Sequence, residues 1–132
     1  MDKKTFYFLN LTWGLIMTLV GGIACLVLLG CNKRPTRHGG CLCFTVGKAW
    51  GGVSLGLVML VSEEAPGSTK NHEFGHAVQN AIYGPGMVLI SLASAARYWY
   101  RRTQDPAALP PYDSAWFERQ ATEWGNLNIK NF

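Results

Sequence analysis

His72, Glu73 and His76 form the pattern H-E-x-x-H. On a helix, residues four apart lie one turn above each other, so both imidazoles can reach one cation while the glutamate points to the side where water would sit. Two imidazoles, a carboxylate and one open position suit zinc in tetrahedral geometry. Such a cation acidifies water and polarises a carbonyl, and Glu73 is placed to take the water's proton and deliver it to a leaving amine. With 3 histidines in 132 residues, chance supplies roughly 0.003 matches to this pattern, so the chemical reading outweighs a solvated helix face whose histidines bond their neighbours.

A third protein ligand must come from elsewhere. The carboxylates downstream are Asp105, Asp113, Glu118 and Glu123. Asp105 lies in a proline-rich stretch and Asp113 suits a helix cap. Glu118 has Ala121 and Gly125 three and seven positions on, so its helix face is lined by small residues and can approach the H-E-x-x-H helix closely. Glu123 points elsewhere and is the runner-up. Gly75 serves the same approach from the first helix.

His72-Glu73-Phe74-Gly75-His76 followed by Glu118-Arg119-Gln120-Ala121-Thr122-Glu123-Trp124-Gly125 resembles the gluzincin branch of the zincin metallopeptidases, in which two helices supply H-E-x-x-H and a later Glu. It is also similar to small bacterial membrane-anchored proteins built around an H-E-F-G-H helix. The resemblance spans about Val53 to Gly125. It implies zinc held by His72, His76 and Glu118, Glu73 as general base, and a strand before the site helix, here Val53 to Val61, that pairs with substrate backbone. Two departures stand out. Thr122 occupies the place where such enzymes often carry an acid, and no downstream residue matches an oxyanion donor, which leaves Tyr83, Tyr98, Tyr112 and His38 as candidates by residue type alone.

The elements that must position these groups follow from the pattern. Cys41 to Val46 and Val53 to Val61 are β-branched and apolar runs separated by Gly47 to Gly52, which predicts a hairpin. Ser68-Thr69 predicts a helix starting near Lys70 and stopping at Gly84-Pro85-Gly86. Met87 to Arg101 predicts a second helix, ending in the aromatic and basic mixture expected at a membrane interface. Asp113 predicts the cap of a third, from about Ser114 to Trp124, closed by Gly125.

Phe6 to Gly30 carries no charge and is long enough to cross about 30 Å of hydrocarbon as one helix. The expected organisation is therefore a transmembrane anchor over 1–31, a basic linker over 32–40, and a small zincin-like domain over 41–132. The expected fold is α+β, a hairpin plus three helices behind the spanning helix. Leu28-Leu29-Gly30-Cys31 also resembles a lipoprotein cleavage box, although the apolar stretch exceeds a signal peptide's usual length.

The net charge of +4 gathers at Lys33-Arg34-Pro35-Thr36-Arg37 and at Arg97, Arg101 and Arg102, each after an apolar stretch. That placement fits a lipid bilayer with anionic headgroups as partner and argues against nucleic acid. Balancing these charges against Lys3 and Lys4 leans toward a single-pass protein with its domain on the cytoplasmic side. Cys25, Cys31, Cys41 and Cys43 make no disulfide framework and read as small buried hydrophobes. The expected function is a membrane-anchored zinc peptidase acting on a peptide or protein substrate. The alternative from another class is a zinc-binding membrane adaptor or assembly protein without turnover. An intramembrane protease is disfavoured, because Lys70, Asn71 and Gln79 make the site helix too polar for lipid.

Overall fold

Short β-branched runs broken by glycine give four strands, and the longer stretches between breakers give five helices. The computed structural model describes residues 1–132 as this α+β arrangement. The strands are β1 (Thr36–His38), β2 (Cys41–Thr45), β3 (Gly52–Leu55) and β4 (Val58–Val61), in one mixed sheet of order β1-β2-β4-β3. The helices are α1 (Lys3–Leu11), α2 (Leu15–Gly30), α3 (Gly67–Tyr83), α4 (Met87–Arg102) and α5 (Trp116–Asn128).

The α+β class and three helices after the strands match the expectation, but the hairpin does not. β2 and β4 pair in parallel, with Cys43 opposite Met59. The run from Val53 to Val61 folds back on itself, because Gly56 adopts φ 66° and turns β3 antiparallel onto β4. A positive φ costs glycine little, and that local turn outcompetes pairing across the longer 46–52 connection. The basic stretch 32–40 is also more than a linker. Its Thr36–His38 pairs antiparallel with β2 across Gly39-Gly40.

The sheet buries Cys41, Cys43, Met59 and Val61 against Phe74, Ala77 and Val78 of α3. Phe6, Phe74 and Phe132 close this core as an aromatic cluster, with centroids 5.0 to 5.4 Å apart.

Phe6 belongs to the stretch expected to be a spanning helix, and here the expectation is corrected. The segment is two helices bent by 87° at the Thr12-Trp13-Gly14 break, and no single helix is long and apolar enough to cross a membrane. The cause is polar. Asn10 is fully buried, donates to the Phe6 and Ala77 carbonyls at 3.1 and 3.3 Å, and accepts from Asn80 at 2.7 Å. Asn80 also donates to the Gly14 carbonyl at 3.0 Å, and the Trp13 indole donates to the Ile82 carbonyl at 3.0 Å. These bonds fasten the corner to α3, because buried amides stay paired. As a result, α1 packs into the domain core, and only the bent pair α1 and α2 together has the length and composition of a span.

α3 has Pro66 rather than the expected Ser68-Thr69 at its N-terminal cap, and Gly84 with φ 58° at its C-terminal cap. α5 starts after Ala115, with Asp113 in a preceding turn, and runs past Gly125 to Asn128. Gly125 is no stop, because its role is close approach. A side chain there would overlap the Asn71 backbone of α3, and one at Gly75 would overlap the Ala121 backbone of α5. Gly75→Ala is therefore expected to force the two helices apart and destabilise the fold by about 1–3 kcal/mol, read as a lower denaturation midpoint with unchanged m-value.

Candidate metal centre

The contact of α3 with α5 decides what the site contains. With Gly75 and Ala121 touching backbone to backbone, Glu118 reaches between the two histidines one turn apart on α3. His72 Nε2 lies 3.3 Å from Glu118 Oε2, and His76 Nε2 lies 3.4 Å from Glu118 Oε1. All three ligand atoms fall within 4.8 Å of one another, so this group can hold a metal ion. His76 and Glu118 are buried and His72 is half-buried.

The tautomer of His76 is fixed by its neighbours. Gln79 donates its Nε2 to the Phe117 carbonyl at 2.9 Å and to Gln120 at 3.1 Å, so its Oε1 is what faces His76 Nδ1 at 2.7 Å. His76 Nδ1 must then carry the proton, and a neutral His76 turns the lone pair of Nε2 toward Glu118. His72 Nδ1 meets the Thr122 hydroxyl at 2.8 Å and likewise leaves Nε2 inward. His72 Nε2 and Glu118 Oε2 have no hydrogen-bond partner despite burial. Buried polar atoms left unpartnered around an ionised carboxylate call for a positive charge among them, either a proton or a cation. Donors about 2.0–2.2 Å from a tetrahedral zinc lie about 3.3–3.6 Å apart; each histidine meets that spacing to one Glu118 oxygen, at 3.3 and 3.4 Å, while the three ligand atoms together fall within 4.8 Å.

The electrostatics carry the same demand. Burial opposes ionisation of Glu118, but the His72 and His76 imidazoles beside it outweigh that and hold the carboxyl well below the ordinary range. Burial disfavours a charged His76, yet the Glu118 hydrogen bond and the Glu73 charge raise its pKa. The Ser94 hydroxyl donates to Glu118 Oε1 at 2.7 Å and fixes the carboxylate's orientation. Because Thr122 contacts His72, Thr122→Val is expected to weaken divalent-metal binding about 10–100-fold, measured by competition with a chromogenic chelator.

Glu73 stands outside the ligand group, at the centre of a cleft. On its His76 side is a cavity of about 250 Å³ walled by Trp50, Val53, Met87, Ala95, Tyr98 and Trp99. On its His72 side is a second, of about 370 Å³, with Ser68, Thr69, Asp113 and Thr122. Burial is the main influence on Glu73 and raises its pKa, although His76 and His72 pull the other way. β3 lies alongside, close enough that a side chain at Gly52 would crowd the Glu73 carboxylate. As the last strand of the sheet, β3 leaves its outer edge unpaired.

The other residues singled out in the sequence separate cleanly. Glu123 and Asp105 are exposed and away from the ligand atoms, and Asp113 borders the cleft without joining the group. Tyr83 bonds Gln120 at 2.8 Å and His38 bonds Asn71 at 2.7 Å, neither lining the cleft. Tyr98 and Tyr112 do line it. Tyr112 stacks under Arg97 and Arg101, at 4.9 and 5.3 Å, and burial together with the Glu118 charge raises its hydroxyl pKa. Gln79, Ser94 and Thr122 have roles the sequence reading missed. Thr122 carried a signal, since it lies four residues after Glu118 on the same helix face. No family model, curated protein or solved structure matches the chain.

Proposed function

We propose that the chain is a zinc-dependent peptidase. The observation that carries this reading is the set of three converging donor groups with ligand atoms within 4.8 Å of one another, and a second carboxylate, Glu73, beside them in an open cleft. His72, His76 and Glu118 hold the ion, which when bound supplies Lewis acidity toward water and a carbonyl oxygen. Glu73 takes the proton of the attacking water and returns it to the departing amine. The unpaired edge of β3 pairs with an extended peptide backbone and lays the scissile bond across the cleft. Tyr112 and Tyr98 border the place where negative charge develops. A site that only stored zinc or stiffened the fold would have no use for a buried carboxylate outside the ligand set facing an open cleft, which favours turnover over the adaptor reading.

The test is metal analysis of the purified full chain beside hydrolysis of an unstructured polypeptide. One zinc per chain is expected, with cleavage abolished by a chelator and restored by added zinc. Stoichiometric zinc with no cleavage of any polypeptide would leave the adaptor reading standing in its place.

A further inference from the structure

We infer that α2 and α4 together form a lipid-seating surface that holds the protein in one leaflet of an anionic membrane, without crossing it. The inference does not depend on the peptidase reading.

α2 presents Ile16, Leu19, Ile23, Leu26 and Val27 to solvent, with Leu26 72% and Ile23 65% exposed. These positions follow helical spacing, so they form one outward face along the whole helix, while Met17 and Gly21 face the domain. On α4, Leu89, Leu92, Trp99 and Tyr100 are exposed on one face, and Met87, Ser91, Ser94 and Tyr98 line the cleft with the other. The two helices touch each other, and both meet the Gly84–Gly86 turn. Exposed Trp13 and Ile82 continue the surface at that corner. Contiguous exposed apolar surface of this kind marks an interaction site.

Charge complementarity identifies the occupant as lipid. The far end of α2 leads into exposed Lys33 and Arg34, and α4 ends in Trp99, Tyr100 and exposed Arg102. Aromatic and basic residues bordering an apolar face suit the headgroup layer of anionic lipid, whereas a second copy of the chain would bring like charges together.

Topology fixes the mode. The chain enters α2 from a helix whose Phe6 and Asn10 are fully buried in the domain, and re-enters the same domain at Thr36 in the sheet. Both ends of α2 are thus tied to one folded body that flanks the helix. At about 1.5 Å per residue its 16 residues extend about 24 Å, short of the roughly 30 Å of hydrocarbon. An apolar helix face held in plane by the body behind it seats in one leaflet. α4 then has lipid on one side and the cleft on the other, so a polypeptide entering past Trp99 does so at the membrane surface.

The test uses the purified full chain and preformed vesicles of phosphatidylcholine with or without phosphatidylglycerol. Wild-type protein is expected to float with the anionic vesicles and more weakly with the neutral ones. The double variants Ile23→Asp with Leu26→Asp, and Leu89→Asp with Leu92→Asp, are expected to lose binding by at least about tenfold. Their side chains are exposed, so an unchanged melting curve checks that the fold survives. Cys31 is exposed at the end of α2, and with Cys25→Ser in place a membrane-impermeant maleimide added outside is expected to label it on bound protein. Flotation unaffected by the aspartates, equal binding to neutral vesicles, a wild-type dimer that does not bind vesicles, or protection of Cys31 inside the vesicle would each overturn the inference.

Discussion

Glu73→Gln is expected to retain one zinc per chain while hydrolysis falls by at least about 10²–10⁴-fold, the range for losing a positioned general base. The two halves of this result come from different parts of the geometry. Glu73 contributes no atom to the group formed by His72, His76 and Glu118, so metal content has no reason to fall. Glutamine fills the same volume and keeps the close approach of Gly52 to this side chain. What disappears is the ability to accept a proton, because an amide oxygen is far too weak a base. Since burial raises the Glu73 pKa, its carboxylate is a stronger base than an exposed one, and the loss is correspondingly large. The measurement is kcat/KM on one peptide, with zinc determined on the same samples. Wild-type rates from zinc-loaded Glu73→Gln protein would remove Glu73 from the chemistry.

The legible part of this protein was the part encoded by spacing within a helix. His72 and His76 sit one turn apart, and the small residues Gly75, Ala121 and Gly125 announced a close helix pair that brings Glu118 in. Those signals are local and survive any rearrangement of the rest. The strand pairing was not legible, because two apolar runs of similar character can pair in several ways, and the outcome depended on one glycine, Gly56, adopting a positive φ. The bend in the apolar start of the chain was not legible for a related reason. Hydropathy averages over Asn10 and Gly14, yet the partners that make Asn10 a corner rather than a blemish, Ala77 and Asn80, lie far along the chain. A buried amide with its complement elsewhere in the sequence looks like an isolated polar residue until the fold supplies that complement.

The supporting shell shows the same division. Thr122 looked like a departure because an acid was expected in that neighbourhood, but its hydroxyl meets His72 Nδ1, the bond that leaves Nε2 free to face inward. Gln79 looked only like a mark of polarity on α3, yet it fixes the tautomer of His76. Ser94 could not be assigned at all, since its contact with Glu118 exists only because α4 packs across the end of the site.

Glu118→Ala is expected to abolish stoichiometric zinc binding, with affinity falling by more than about 100-fold, beyond the effect of losing an orienting neighbour. Glu118 is the one group that touches both imidazoles, so its removal leaves two ligands on a single helix and none opposite. The carboxylate is fully buried and held ionised by His72 and His76 against the cost of burial, which makes it the negative charge that a cation replaces a proton to meet. Zinc uptake therefore displaces the proton favoured at His76, and affinity weakens as pH falls through that group's raised pKa. Alanine also leaves a cavity between α3 and α5, so Glu118→Gln provides the shape-preserving companion: the folded protein with an intact core and no bound zinc. Glu123→Ala, at an exposed position on the same helix, is expected to leave zinc content unchanged. If Glu118→Gln keeps full zinc at neutral pH while Glu123→Ala loses it, the third ligand has been assigned to the wrong face of α5.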